Sequence, residues 1–291
     1  MQSIDKTILN FFKANEESIK NNYPGISRKV IYEAFTDLIG VKVGYKIVPS
    51  FQQKIELEHL FSKILEGVPF AYITNIGHFF GREFFINNSV LIPRFETEEL
   101  TAMATEYINE LPQKSVKVGE VGVGSGCIGL TIIAECFEKQ ITLLGYDISK
   151  NALQIANKNL EKLSYCFPEG SEANFVLKDR LDSVEKNLFD VIISNPPYIK
   201  KDLDSSLVHH QVKKFEPAEA LFLEDESYEN WFNVLFQQIE VSLKSGGSFF
   251  MEGHENHLKM LKELASDFNF EEIAVKKDLS GRDRFLSLKK I

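Results

Sequence analysis

From Val116 onward, short apolar runs alternate with segments of helical periodicity, and this alternation limits the choice of fold more than any other feature. Five of the runs have the length of buried strands: Val116–Val121, Ile141–Tyr146, Asn174–Leu177, Val191–Ile193 and Ser248–Met251. Helices are predicted between them, most clearly over Asn151–Leu163 and Tyr228–Leu243. The pattern therefore predicts an α/β fold with a doubly wound parallel sheet. Two later runs, Ile273–Val275 and Phe285–Leu288, predict an antiparallel pair.

The residues before this region have a different pattern. Helical periodicity extends from Met1 to about Gly67: Ser27 can cap one helix, and a second is expected to start near Pro49-Ser50. On the helix that follows Ser50, six apolar residues are expected to face inward: Phe51, Ile55, Leu60, Phe61, Ile64 and Leu65. Residues 1–75 are therefore predicted to form a small all-helical domain.

Two aromatic pairs connect the helical region to the α/β region. Phe79-Phe80 and Phe84-Phe85 lie on either side of Gly81, which is typical of a β-hairpin. We expect residues 76–98 to be a hairpin linker and residues 99–291 to be the α/β domain.

Composition excludes several classes of protein. The 291 residues contain no apolar run of the roughly 18 residues that a membrane span needs, and no secretory signal is recognisable at the start. Three scattered cysteines predict neither a disulfide framework nor a metal site, and they fit a reducing cytoplasm. A net charge of −9 argues against a nucleic-acid-binding protein, because such binding depends largely on phosphate neutralisation.

The stretch from Asp190 to Tyr198 ends the fourth predicted strand in Asn-Pro-Pro-Tyr. The two prolines cannot continue a strand, so they fix a rigid turn where open α/β sheets bind ligands. The Asn195 side-chain oxygen and the Pro196 carbonyl could each accept one N–H of a planar NH2 group, and Tyr198 could stack on its plane. This arrangement suits an amide or amine substrate.

A glycine-rich loop follows the first strand of the α/β region. Glycine at positions 122, 124 and 126 allows tight turns and close approach to a ligand, and Asp147, at the end of the second strand, could bind ribose hydroxyls. The spacing differs from the Gly-x-Gly-x-x-Gly pattern of dinucleotide sites, so a ligand without phosphates is favoured. Asp179, after the third strand, lies where an adenine amino group could be met. Glycine loop, Asp147, Asp179 and Asn-Pro-Pro-Tyr together predict an S-adenosylmethionine-dependent methyltransferase of amino groups.

Several motifs resemble those of the glutamine N5-methyltransferases of peptide chain release factors. They follow in the order of that family: Pro69–Ile73, Leu91–Glu98, Glu120–Leu130, Tyr146–Ser149, Asn195–Tyr198, Glu216-Pro217 with Ala220-Leu221, and Gly281–Arg284. The chain departs from the family at Phe95, where proline is usual, at Arg180, where an apolar residue or tryptophan is common, and after Leu221, where a glycine pair is missing.

The resemblance implies a fold, a reaction and a set of site residues. It implies a Rossmann-like class I methyltransferase domain, preceded by a helical substrate-binding domain and a β-hairpin linker. The substrate would be the glutamine of the Gly-Gly-Gln loop in class 1 release factors, methylated by a cytoplasmic, monomeric enzyme. Two sets of residues are implied: for catalysis Asn195, Pro196, Pro197 and Tyr198; for cofactor binding Gly122, Val123, Gly124, Ser125, Gly126, Asp147, Asp179, Arg180 and Asn195.

Two alternatives stay open at this point. An adenine-N6 methyltransferase of nucleic acids could use the same Asn-Pro-Pro-Tyr turn on a flipped base, although the acidic net charge argues against direct binding of nucleic acid. A binding protein that retains the fold without activity is the second alternative. Intact Asn195 and Asp147 argue against it.

Overall fold

The structure is a computed structural model that describes residues 3–41 and 47–291. The chain divides into two compact units, Met1–Ile76 and Gly77–Ile291. The predicted end of the helical domain, residue 75, lies beside this division. Residues 1, 2 and 42–46 of the predicted domain lie outside the described residues.

The first unit is built from helices. They are α1 (Ile4–Ala14), α2 (Glu16–Asn22), α3 (Arg28–Leu38), α4 (Phe51–Glu66) and α5 (Phe70–Thr74). The predicted N-cap Ser27 is confirmed, because its hydroxyl accepts an N–H bond from the first turn of α3. The Ser50 hydroxyl caps α4 in the same way, at the predicted start of that helix. The two helices pack around a core that includes Phe35 and Ile64.

The predicted inner face of α4 is partly wrong. Leu57, Leu60 and Ile64 form its buried stripe, whereas Phe51 is 81% exposed and Ile55 is 46% exposed. Helical residues advance by about 100° each, which turns Phe51 and Ile55 to the side opposite that stripe. Leu65 is also exposed. The apolar positions of α4 thus spread over more than one face.

The predicted hairpin lies at the start of the second unit, with its first residue, Ile76, at the division. Its strands, β1 (Ile76–Phe79) and β2 (Arg82–Phe85), form a two-stranded sheet around a turn at Phe80 and Gly81. Asn159 holds β2 from a later helix, since its side-chain amide exchanges two hydrogen bonds with the backbone of Phe85, at 2.7 and 2.9 Å.

A seven-stranded sheet forms the centre of this unit. Its strands are β3 (Ser115–Val121), β4 (Gln140–Asp147), β5 (Glu172–Leu177), β6 (Phe189–Ser194), β9 (Leu243–Glu252), β10 (Phe270–Lys277) and β11 (Asp283–Lys290). They lie in the order β10-β11-β9-β6-β3-β4-β5. The first five in chain order are parallel, and β10 and β11 are the predicted antiparallel pair. All five predicted parallel strands are confirmed with wider bounds, and β9 begins at Leu243 instead of Ser248.

Helices and a small extra sheet complete the unit. The helices are α6 (Phe95–Glu110), α7 (Cys127–Glu135), α8 (Lys150–Leu163), α9 (His210–Phe215), α10 (Tyr228–Ser242) and α11 (Leu258–Ala265). Two short strands, β7 (Ile199–Lys200) and β8 (Phe222–Leu223), pair in parallel and were not predicted. Across the described residues, no helix combines the length and apolarity that crossing a membrane requires.

The strand order reverses direction between β3 and β6. The chain proceeds from β3 outward to β4 and β5, then crosses back to β6 on the other side of β3. A crevice opens at such a switch point outside the carboxyl ends of the strands, where doubly wound folds bind ligands. The glycine loop follows β3 and Asn195 follows β6, so the two predicted motifs lie on opposite sides of this crevice.

Gly145 in β4 allows the glycine loop to pack directly on the sheet. A Cβ at this position would lie 2.5 Å from Val123 Cγ2 and 2.7 Å from Phe175 Cδ1. We expect Gly145→Ala to lower the free energy of unfolding by about 1–3 kcal/mol, the usual range for an overpacked core. Denaturant titration measures this change. An unaltered midpoint would show that Val123 and Phe175 can move aside without strain.

Candidate functional site

The glycine loop, residues 122–126, is held by its own backbone hydrogen bonds. Gly122, Gly124 and Gly126 have φ angles of 77°, 54° and 78°, which glycine adopts without steric penalty. The N–H of Gly122 donates to the Tyr146 carbonyl at 2.8 Å, that of Gly126 to a carbonyl within the loop, and that of Gly124 to the Asp147 carboxylate at 2.9 Å. Phosphate-binding loops direct such N–H groups at the ligand. This loop therefore suits a ligand without phosphates.

Asp147 ends β4 and faces the loop. Its Oδ2 accepts the N–H of Gly124 at 2.9 Å, and its Oδ1 accepts the N–H of Ser149 at 2.8 Å. Burial raises the pKa of this carboxyl and the charge of Glu219 adds to the rise, while the two backbone hydrogen bonds oppose it. A carboxylate has about four acceptor sites. Asp147 thus keeps capacity for two hydroxyl groups of a ligand.

Asp179 and Arg180 form a joined pair beyond β5. The guanidinium of Arg180 donates to both carboxylate oxygens of Asp179, at 3.1 and 2.8 Å, and to the carbonyl of Trp231 at 3.1 Å. It also lies 5.0 Å from the centroid of the Trp231 ring. The residue that departs from the usual pattern is thus fixed beside an aromatic face. Trp231 had not been predicted as a site residue.

These residues line one cavity of about 300 Å³ at the switch point. Ten of the predicted site residues line it: Gly122, Val123, Gly124, Ser125, Asp147, Asp179, Arg180, Asn195, Pro196 and Pro197. Gly126 and Tyr198 are not among the lining residues; Gly126 is the N-cap of α7. Glu219 and Trp231 also line the cavity. Its lining therefore includes three carboxyl groups, those of Asp147, Asp179 and Glu219.

A second cavity, of about 240 Å³, adjoins the first. Asn195 and Pro196 line both cavities, and Tyr198 lines only the second. The predicted turn is therefore a shared wall between two spaces. One of them contains the glycine loop, and the other is bounded by the segment after β7, which includes Asp204.

The side chains of Asn195 and Tyr198 are both tied to a buried glutamate. Asn195 Nδ2 donates to Thr97 Oγ1 at 3.0 Å, and Thr97 Oγ1 donates to Glu252 Oε2 at 2.6 Å. The Tyr198 hydroxyl donates to Glu252 Oε1 at 2.8 Å. Burial raises the pKa of the Glu252 carboxyl, while the bonds from Thr97 and Tyr198 and the charge of Arg284 oppose the rise.

The segment that begins at Leu91 joins the site through Glu216. Glu216 accepts the N–H of Ile92 at 3.0 Å and the Arg94 guanidinium at 2.6 Å. The Glu216 side chain is only 2% exposed, whereas that of Arg94 is 31% exposed and lines both cavities. The ion pair fixes the Leu91 segment beside Asn195.

Asp204, His254 and His257 form a cluster at the rim of the second cavity, where one ligand atom of each lies within 4.8 Å of the others. His257 Nε2 lies 2.7 Å from Asp204 Oδ2. His254 Nδ1 accepts the N–H of Asn256, which places the imidazole proton on Nε2. Burial lowers the pKa of His254, so its ring is neutral near pH 7. The hydrogen bond between His257 and Asp204 thus links two loops.

Glu252 and Thr97 are polar residues of the site that were not predicted from the sequence. Thr97 belongs to a quoted motif, but nothing in it shows the partner of its hydroxyl. Glu252 did carry a signal, since it is an acidic residue at the carboxyl end of a parallel strand, as Asp147 is. Strand-terminal acids lie at the ligand edge of such a sheet.

Comparison with known proteins identifies similar chains. The model of the family described as "Methyltransferase small domain" matches residues 95–221. Relatives named "Release factor glutamine methyltransferase" match most of the chain. The protein from Flavobacterium psychrophilum is 30% identical over 89% of this chain and 89% of its own. The proteins from Leptospira interrogans and Koribacter versatilis are 31% and 36% identical, over 97% and 75% of this chain and 98% and 73% of their own.

Solved structures agree on the fold. The hMettl16 catalytic domain, in complex with the MAT2A 3′UTR hairpin 6, superposes with a TM-score of 0.52 at 17% identity. The match covers 72% of this chain and 76% of that structure. At this identity the similarity shows a shared methyltransferase fold and nothing about substrate.

Proposed function

Because this chain belongs to the family of release factor glutamine methyltransferases, we propose that it transfers a methyl group from S-adenosylmethionine to the N5 side-chain nitrogen of a release factor glutamine. The observation that carries the proposal is the wall shared by the two cavities. Asn195 and Pro196 border both spaces, so a group that they hold faces the donor cavity on one side and the second cavity on the other. The alternative of an adenine methyltransferase fits the relatives less well than this function does.

The first cavity fits the methyl donor. The N–H groups of its three loop glycines donate to acceptors within the protein, which disfavours a phosphate ligand. Asp147 keeps free acceptor capacity for the ribose hydroxyls. Gly122 and Gly124 would lie against the methionine portion of the donor, and Asp179 with Arg180 would lie at its adenine. The donor supplies an electrophilic methyl group on a sulfonium.

Asn195 and Pro196 would hold the glutamine amide. An amide nitrogen is a weak nucleophile, because its lone pair is delocalised into the carbonyl. The main contribution of the protein is then alignment of that nitrogen with the methyl group. The Asn195 oxygen and the Pro196 carbonyl would accept the two N–H bonds and stabilise the positive charge that develops on nitrogen. Pro197 keeps the turn rigid, and Tyr198 borders the amide from the second cavity.

The remaining assignments extend this function to partners and location. The helical unit would bind the body of a class 1 release factor, while the Gly-Gly-Gln loop enters the second cavity. We propose a monomeric enzyme that works in the cytoplasm, where release factors act, and that binds no nucleic acid directly, in keeping with a net charge of −9.

Mass spectrometry of the release factor tests this function. After incubation with enzyme and S-adenosylmethionine, the tryptic peptide with the Gly-Gly-Gln loop should gain one methyl group on glutamine. A parallel reaction with DNA and RNA oligonucleotides should show no methylated adenine. Methylation of adenine alone would favour the alternative, and no methylation of either would contradict the proposal.

Arg180 and Trp231 give a separate prediction about the adenine end of the donor. Trp231 is the single tryptophan of the chain, so its fluorescence should change when the donor fills the cavity that it lines. Arg180 would also place its cation at the adenine ring, so we expect Arg180→Ala to raise the dissociation constant of S-adenosylmethionine by about 3- to 30-fold, the range of a cation–π contact worth about 0.5–2 kcal/mol. A fluorescence titration measures both effects.

Lys158→Ala is the matched control for Arg180→Ala. Lys158 Nζ lies 3.2 Å from the centroid of the Phe85 ring, so the variant also removes a cation–π contact, but neither residue lines the cavity. The control should keep the dissociation constant of the wild type. Equal weakening in both variants would mean that Arg180 acts only through stability.

A further inference from the structure

Glu252 is a buried acid at the carboxyl end of β9, the strand beside β6. The register pairs Ser194 with Met251, which brings Asn195 and Glu252 to the same edge of the sheet. Glu252 is 1% exposed, and no described lysine or arginine forms an ion pair with it. Its two oxygens instead accept the hydroxyls of Thr97 and Tyr198.

The hydroxyls of Thr97 and Tyr198 both donate to Glu252, and this gives the chain of bonds one direction. The Thr97 hydroxyl must send its proton to Glu252, at 2.6 Å, so Thr97 Oγ1 can only accept from Asn195. The Asn195 NH2 group is thereby held at Thr97, and its carbonyl oxygen is left for the cavities. A flipped amide would put two oxygens together at Thr97 and leave Thr97 without a donor.

We propose that Glu252 is a positioning residue that acts through Thr97 to hold the Asn195 oxygen towards the substrate amide. This inference rests on the proposed function, since it assigns how that site recognises an NH2 group. An Asn195 oxygen in this orientation accepts from an NH2 substrate, whereas a flipped Asn195 would present a donor to a donor. The same carboxyl group holds Tyr198, so one buried acid orients two members of the tetrapeptide.

A purely structural role explains this arrangement less well. A buried carboxylate without a paired cation is costly, and an apolar residue of similar volume is often neutral or stabilising by comparison. Donation from Asn195 through Thr97 to Glu252 does have an effect on the amide, because linked hydrogen bonds polarise one another in a medium of low dielectric constant. This polarisation makes the Asn195 oxygen a stronger acceptor as positive charge develops on the substrate nitrogen.

Thr97→Val tests the inference, with Thr101→Val as its matched control. Both replace a buried threonine of α6 by an isosteric valine, and Thr101 bonds only to the Thr97 carbonyl, at 2.8 Å. We expect Thr97→Val to lower kcat for a release factor by about 10²-fold, the scale of a misplaced reacting group. The dissociation constant of S-adenosylmethionine should stay within about threefold. Thr97→Ser should restore kcat, and Thr101→Val should keep it.

Glu252→Gln supplies an independent variant of the same volume. The two hydroxyls bond to different oxygens of Glu252, so in a glutamine one of them would face the NH2 group instead of an acceptor. We expect kcat to fall while the melting temperature stays equal or rises, a combination that a structural role would not give. If Thr97→Val does not fold, this variant and Thr97→Ser decide the question.

Three outcomes would overturn the positioning role. They are wild-type kcat in Thr97→Val, equal losses in Thr97→Val and Thr101→Val, and a stability loss in Glu252→Gln that accounts for its loss of kcat. The side-chain NH2 signals of Asn195 in an NMR spectrum give a readout without substrate, and their slow exchange should disappear in Thr97→Val and persist in Thr97→Ser. Wild-type enzyme that methylates no release factor would instead contradict the proposed function.

Discussion

Asn195→Ala should lower kcat for methyl transfer to a release factor by about 10²–10³-fold, the scale measured when one preorganised polar contact to a transition state is removed. The variant deletes the side-chain acceptor that faces the two cavities, while the Pro196 carbonyl remains. The substrate amide would then be held at one point and could rotate out of line with the methyl group. Single-turnover kinetics with radiolabelled donor measures the chemical step directly.

The control for Asn195→Ala separates chemistry from donor binding. Calorimetry should show S-adenosylmethionine bound with nearly the affinity of the wild type, because Asp147 and the glycine loop are untouched. Asn157→Ala removes an exposed asparagine of α8 whose side chain bonds only within that helix, so its kcat should not change. Full activity in Asn195→Ala would remove the basis of the proposed site.

Asp147→Ala should weaken S-adenosylmethionine binding by about 10- to 100-fold, because hydrogen bonds to a charged group contribute about 1.5–3 kcal/mol each. The carboxylate has two tasks in the structure. It would bind ribose, and it also accepts the N–H groups of Gly124 and Ser149, which fixes the glycine loop to the start of α8. Isothermal titration calorimetry measures the dissociation constant.

Asp147→Asn distinguishes the two tasks of this residue. The amide keeps one oxygen that can accept the Gly124 N–H, but it loses the charge and half of the acceptor capacity. An intermediate affinity is expected, with a melting temperature closer to that of the wild type than Asp147→Ala gives. Unchanged affinity in both variants would refute the ribose role of Asp147.

The sheet and the cavity at its edge could be predicted because their signals are local. Each parallel strand contains a short segment rich in apolar residues, and Gly122, Gly124 and Gly126 show their positive φ angles through residue type alone. Asp147 and Asn195 are recognisable because Asp147 ends a strand and Asn195 directly follows one. Where the strand order is also predictable, such residues converge at one edge without any knowledge of their contacts.

Contacts between distant segments could not be predicted in this way. Thr97 and Glu252 are 155 residues apart, and their hydrogen bond depends on how α6 packs over the end of β9. The bond from the Tyr198 hydroxyl to Glu252, 54 residues further along the chain, also has no signal in the sequence. Phe51 was placed inward because an apolar residue on a helix suggests burial, yet the buried stripe of α4 passes on its other side.

The order of strands in the sheet sets an order for the completion of this enzyme. Strand β10 precedes β11 in the chain but lies outside it, so β10 has no neighbour in the sheet until β11 has been synthesised. Strand β11 also pairs Phe285 with Glu252, the residue that orients Asn195. A ribosome that has translated every cofactor-binding motif has therefore still not produced the strand that encloses the buried carboxylate. The seven-stranded sheet can be completed only after residues 283–290 have been synthesised. The part of the site around Asn195 and Glu252 is therefore assembled late in the synthesis of the chain.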